Sequence, residues 1–182
     1  MSGKAGIIGL GLIGGSVGMA LREAGWSVVG QDLDKEREDL ALEMGAIDRV
    51  GTMDDVDIAF VATPVSNVVA SVRQALDEGA KAVTDVGSVK GSIVQEVNSP
   101  LFVPGHPMAG SEQEGIRGAR GDLFRGAAWV LTPAEITGDD HFAKVRAVIV
   151  EIGADVVVID ADSHDELVAV VSHVPHLTAG AL

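Results

Sequence analysis

Two groups of residues in this 182-residue chain have types and spacings that could do chemistry. In the first, Gly9, Gly11 and Gly14 form G-x-G-x-x-G where the apolar run of residues 5–10 ends, with Leu12 and Ile13 between the second and third glycines. Glycines so spaced permit a tight turn, let the backbone approach a pyrophosphate, and let the following helix pack closely on the strand. The free N–H groups and positive dipole end of that helix then face the phosphates. Asp32 lies 18 residues beyond Gly14, at the end of the next strand-like run. A carboxylate there accepts from ribose hydroxyls and repels a 2′-phosphate. The pattern predicts a dinucleotide site that takes NAD in preference to NADP, and nothing further along is built for a flavin.

The second group follows the predicted strand ends, where ligands sit in open α/β sheets. Thr63-Pro64 closes one strand, and Asp85-Val86-Gly87-Ser88-Val89-Lys90 follows the next. Gly105-His106-Pro107 reads as a turn and leads into Met108-Ala109-Gly110-Ser111-Glu112. His106, framed by Gly and Pro, is where a side chain is aimed at a ligand, and an imidazole titrates near working pH. The last segment adds His164, His173 and His176. His173 and His176 share a helical face but have no third ligand at a familiar spacing, so no metal site is predicted. Asp85 and Lys90 read as a structural ion pair outside the site.

Alternating elements must position these residues. Strands are predicted over 5–10, 27–30, 57–62, 82–86, 101–103, 127–131 and 155–159, and helices over 13–24, 35–44, 65–76, 88–97 and 140–152. Gly25 and Gly45 stand where helix ends want glycine. The alternation predicts a doubly wound, Rossmann-type α/β domain with a mainly parallel sheet. Another helix begins at Ser163, which with Glu166 fits a capping box, and places Leu167, Val170, Val171 and Val174 on one face. The chain ends at Gly180-Ala181-Leu182 with neither C-cap nor polar tail. The expected division is a nucleotide-binding domain over 1–160, and over 161–182 the first helix of an all-helical C-terminal domain.

Composition fits this reading. Hydrophobic residues are 47% and aromatics 3%, so the core is built from Val, Ala, Ile and Leu, as in a parallel sheet buried on both faces. A net charge of −14 excludes a basic nucleic-acid footprint and docking on an anionic membrane surface. The absence of cysteine excludes disulfides, thiolate metal sites and a Cys nucleophile. With no secretory signal and no membrane-length apolar run, a cytoplasmic protein is expected.

Four motifs occur in register: G-L-G-L-I-G-G-S over 9–16, T-D-V-G-S-V-K over 84–90, G-H-P-M-A-G-S-E over 105–112, and S-H-V-P-H over 172–176. Together the chain resembles the prephenate and arogenate dehydrogenase family from its first strand to its last residue. The first motif is shared by many dehydrogenases, and the last two are particular to this family. The resemblance implies NAD-dependent oxidation of the ring alcohol of prephenate or arogenate, with loss of CO2 to give 4-hydroxyphenylpyruvate or tyrosine. It implies that His106 is the catalytic base and that Ser88 lies between nicotinamide and substrate. It implies that His176 faces the substrate and Glu112 lines the pocket mouth, with Ser111 and His164 as further substrate contacts.

The family continues into a helical domain that makes a homodimer and supplies an arginine for the substrate carboxylate. No arginine here sits in a matching place, so the chain is expected to bind nucleotide without full activity. Two other readings stand beside this one. Another NAD-dependent hydroxy-acid dehydrogenase would commonly use a lysine on the helix after the nucleotide domain, which the His-rich helix speaks against. A non-catalytic NAD-sensing module would have no need of His106, Ser88 and His176.

Overall fold

The computed structural model describes residues 3–169. Each short apolar run becomes a strand because neighbouring side chains point to opposite faces of the sheet and both faces are covered. In β4 (Ile58–Val61), Ile58 and Phe60 join one buried cluster, while Ala59 and Val61 join the other. Ile7 and Ile8 of β1 (Lys4–Ile8) divide the same way, as do Val28 and Val29 of β2 (Ser27–Gln31).

With β3 (Arg49–Val50), β5 (Val83–Asp85) and β6 (Phe102–Val103), these strands form a six-stranded sheet ordered β3-β2-β1-β4-β5-β6, parallel at every pairing. Helices α1 (Leu12–Glu23), α2 (Lys35–Glu43), α3 (Val65–Asp77) and α4 (Gly91–Glu96) make its crossovers. The strand order reverses between β1 and β4, so a crevice opens at their carboxyl ends. This is the doubly wound Rossmann architecture expected from the sequence.

A second sheet was not foreseen. It contains β7 (Gly105–Pro107), β8 (Ala128–Leu131) and β9 (Asp155–Val158), with β7 antiparallel to β8 and β9 parallel to it. Helix α5 (Asp139–Glu151) connects β8 to β9. Gly105-His106-Pro107 is therefore a strand and not a turn, because pairing with β8 sets His106 opposite Val130 and Pro107 opposite Trp129. Trp129, fully buried, packs edge-on against Phe60 with ring centroids 6.2 Å apart and against Phe124 at 5.1 Å. It joins the two sheets.

Other boundaries moved for local reasons. The helix expected from residue 88 begins at Gly91, since Ser88 and Val89 stay exposed in the loop after β5. The last helix, α6 (Ala161–Val168), is capped by Asp160 and not by Ser163. The Asp160 carboxylate accepts from both Ser163 N and Ser163 Oγ, which makes Ser163 the donor in the cap. Leu167 of the predicted apolar face is exposed, while Val170, Val171 and Val174 lie outside the described residues. Among the described residues, no helix is long and apolar enough to cross a membrane.

Candidate functional site

A cleft of about 980 Å³ opens at the carboxyl ends of β1, β2, β4 and β5. Its lining includes Gly9, Gly11, Leu12, Ile13, Asp32, Thr63, Pro64 and Ser88, drawn from both predicted groups. The three glycines divide their work as the motif requires. Gly9 has φ +97°, and a Cβ there would come within 2.6 Å of the Ala62 carbonyl oxygen. A Cβ on Gly14 would stand 1.9 Å from the Gly9 carbonyl oxygen, so α1 lies against the strand loop at backbone contact. Above Gly11, the N-cap of α1, nothing lies within 4 Å of a Cβ position, and no side chain caps the helix. The cleft thus offers a helix start with free N–H groups and open room, which fits a pyrophosphate.

Asp32 sits at the end of β2 with its side chain 9% exposed. One carboxylate oxygen accepts from Leu10 N at 2.7 Å and the other from Asp34 N at 3.0 Å, tying the glycine loop to the neighbouring strand end. Asp34 caps α2, accepting from Glu36 N, and leaves Asp32 free of that duty. Arg37, which sequence reasoning missed, also lines the cleft; it lies 3.9 Å from Asp32 and 3.6 Å from Asp34. Glu38 accepts from Asp32 N. Two carboxylates, Asp32 and Asp34, therefore flank one guanidinium in this corner.

The second group gathers around a buried ion pair. Asp85, at the end of β5, and Lys90 are both fully buried, and Lys90 Nζ bonds Asp85 Oδ2. Asp85 also accepts from Gly87 N at 2.9 Å and from Gly105 N at 3.1 Å. The latter bond fixes the start of β7 beside the segment Val86-Gly87-Ser88, which lines the cleft. Burial pushes the Lys90 ammonium below the ordinary lysine range, against the opposing pull of Asp85.

His106, the residue after Gly105, is partly buried, with its Nδ1 2.9 Å from Nε2 of His164. Burial pushes its pKa down to about 4; the His164 ring and the Lys90 charge add to the effect, and Asp165 opposes it. The imidazole is therefore unprotonated at neutral pH and able to accept a proton. His164 is 1% exposed, and its Nδ1 bonds Asp165 Oδ1 at 2.8 Å. Both ring nitrogens of His164 are engaged, one by His106 and one by Asp165, and neither His106 nor His164 is among the residues lining the cleft. Asp165 accepts in turn from Lys90 N at 2.9 Å and Gly91 N at 2.8 Å. Burial works against the Asp165 carboxylate, but the bonds from Gly91, His164 and Lys90 outweigh it and hold its pKa below the ordinary aspartate range.

Ser88 is exposed on the cleft wall. Ser111 and Glu112 lie on the exposed loop after β7, where Ser111 Oγ accepts from Gln113 N at 3.1 Å. Glu112 is not among the residues lining the cleft. His173 and His176 fall outside the described residues. Asp165 was missed although it adjoins His164, because its bonds run to residues more than seventy positions away.

Comparison with known proteins agrees with this geometry. Residues 17–158 match the family model for the prephenate dehydrogenase nucleotide-binding domain. The chain is 31% identical over 191 residues to prephenate dehydrogenase of Bacillus subtilis (strain 168), covering 97% of this chain and 52% of that protein. It thus spans about half the length of such a relative. Among solved structures, prephenate dehydrogenase from A. aeolicus in complex with hydroxyphenyl propionate and NAD+ superposes with TM-score 0.91 at 31% identity, covering 98% of this chain and 67% of that one. Arogenate dehydrogenase from Synechocystis gives TM-score 0.88 at 32% identity, with the same coverage of 98% and 67%. Motif, sheet order and sequence agree: the chain belongs to the prephenate dehydrogenase family and carries its nucleotide-binding domain.

Proposed function

We propose that the full-length protein oxidatively decarboxylates prephenate or arogenate with NAD, giving 4-hydroxyphenylpyruvate or tyrosine. One observation carries this reading. A neutral imidazole, His106, is held through Gly105 and Asp85 beside a cleft that fits a dinucleotide. Bound NAD supplies the hydride acceptor. His106 takes the proton of the ring hydroxyl, and Ser88 bonds the same hydroxyl or orients His106. With hydride and proton gone, the ring carboxylate leaves as CO2 and its electrons complete the aromatic ring. A positioned base of this kind is worth on the order of 10²–10⁴ in rate.

The corner at Asp32 favours NAD over NADP, because a 2′-phosphate would meet two carboxylates, Asp32 and Asp34, that already flank the one guanidinium there. Ser111, Glu112 and His176 are the proposed substrate contacts, and His164 acts through its bond to His106. In the same reading, residues 1–160 form the nucleotide domain of a cytoplasmic homodimer. Residues 161–182 open the helical domain that makes the dimer and supplies the arginine for the substrate carboxylate.

The test follows NADH formation by the full-length protein with prephenate and arogenate side by side, and with NAD and NADP each tried. Turnover of either substrate with NAD is expected, and His106→Asn should abolish it while sparing NAD binding by calorimetry. Unchanged turnover in that variant would refute the base assignment. NAD binding without turnover of either substrate would favour another hydroxy-acid dehydrogenase or a nucleotide sensor.

A further inference from the structure

His106, His164 and Asp165 form a linear chain of hydrogen bonds whose direction is set at one end. Asp165 Oδ1 accepts from Lys90 N at 2.9 Å and Oδ2 from Gly91 N at 2.8 Å, so its carboxylate is anchored by two backbone donors. An ionised carboxylate has only lone pairs to offer. The 2.8 Å contact between Asp165 Oδ1 and His164 Nδ1 therefore requires the proton to be on His164 Nδ1. The relay takes the His164 ring as neutral, so it carries that one N–H and its Nε2 is a lone pair. The 2.9 Å contact from His164 Nε2 to His106 Nδ1 then requires the proton to be on His106 Nδ1. Nε2 of His106 is left as the unprotonated nitrogen.

We infer that Asp165, acting through His164, fixes the tautomer of His106 and makes Nε2 its basic atom. The inference rests on the reading of His106 as the base. His164 and Asp165 are positioning residues. A serine–histidine–aspartate site uses the same logic with one ring in place of two, the carboxylate holding the base in the required tautomer. Burial enforces the arrangement here, because His164 is 1% exposed and no solvent donor competes for its ring. The rings meet edge to face, with centroids 5.1 Å apart and planes at 72°, so neither can flip without breaking the shared bond. The clamp on Lys90 and Gly91 also ties α6 to the segment that carries Ser88, so the tautomer depends on α6 being docked. When His106 takes a proton at Nε2, its Nδ1 proton stays hydrogen-bonded to His164 Nε2, and Asp165 lies one ring away to stabilise the new positive charge.

The experiment is a long-range ¹H–¹⁵N correlation spectrum of the chain labelled with ¹⁵N-histidine, recorded at neutral pH, in which protonated and unprotonated ring nitrogens resolve. His106 and His164 are both expected as the Nδ1–H tautomer. An Nε2–H signal for His106 in the unsubstituted chain would overturn the inference without any variant being made. Asp165→Ala should turn His106 into a tautomer mixture, and His164→Phe, which keeps ring volume and removes the acceptor, should do the same. An unchanged His106 signal in both would overturn it too. In the full-length protein, Asp165→Ala is expected to lower kcat about 10²-fold or more with NAD affinity retained. The expected tautomers in a protein that turns over neither substrate would sink the reading of function and leave the relay standing. Turnover with His106 as Nε2–H would sink the relay alone.

Discussion

Leu10 N–H donates to Asp32 Oδ2 at 2.7 Å, so the residue proposed to read the ribose also holds the glycine loop proposed to cradle the phosphates. Asp32→Ala should therefore act twice. Two backbone donors, on Leu10 and Asp34, lose their acceptor, at a cost of about 1–3 kcal/mol in stability. NAD affinity falls as well, and the preference for NAD over NADP narrows. Thermal denaturation measures the first effect, and calorimetric titration with each nucleotide the second.

Gly11 and Gly14 should separate binding from folding. A Cβ on Gly11 meets nothing within 4 Å, so Gly11→Ala should change stability by less than about 1 kcal/mol while weakening NAD about tenfold or more. A Cβ on Gly14 would meet the Gly9 carbonyl oxygen, and Gly14→Ala should cost about 1–3 kcal/mol or more by overpacking. Urea unfolding of the two variants with and without NAD makes the comparison. Equal stability loss in both would contradict it.

Lys90→Met leaves the Asp85 carboxylate buried without its cation, an error worth about 3–5 kcal/mol. The double variant Asp85→Asn/Lys90→Met removes both charges and should be markedly more stable than the two single effects summed. A double-mutant cycle on the denaturation midpoints reads the coupling directly.

The depressed pKa of His106 links stability to pH with a definite sign. Its folded value, about 4, lies below the roughly 6.5 of an unfolded histidine. Above pH 6.5 neither state binds the proton and the contribution is complete. As pH falls from about 6.5 towards 4, only the unfolded chain takes up the proton and stability declines. His106→Gln should flatten that part of the profile. In the full-length protein, the acid limb of kcat/KM should lie below the ordinary imidazole range, since the proposed base stays neutral there.

The sequence was most legible where local rules and tertiary packing agree. Gly25 and Gly45 stop α1 and α2 with φ of +88° and +71°, as the helix endings predicted. The glycine motif and Asp32 meet in one cleft because strand order brings β1 beside β2. What escaped was non-local. β7 is three residues long and framed by Gly and Pro, which locally read as a turn, and only its partner β8 makes it a strand. β3, two residues long, carries no periodicity to read. Asp165 looks like an ordinary acidic residue on a helix until α6 packs on α4 and its carboxylate meets the amides of Lys90 and Gly91.

Trp129 has an optical consequence. The chain has only two tryptophans, and Trp129 is the fully buried one, packed between Phe60 of the first sheet and Phe124 beside the second. Its emission is shielded from solvent for as long as the sheets stay joined. Replacing Trp26 by Phe would leave a single intrinsic fluorophore at the seam between the sheet that holds the cofactor loop and the sheet that holds His106. A red shift of that one signal would then time the parting of the two halves of the site.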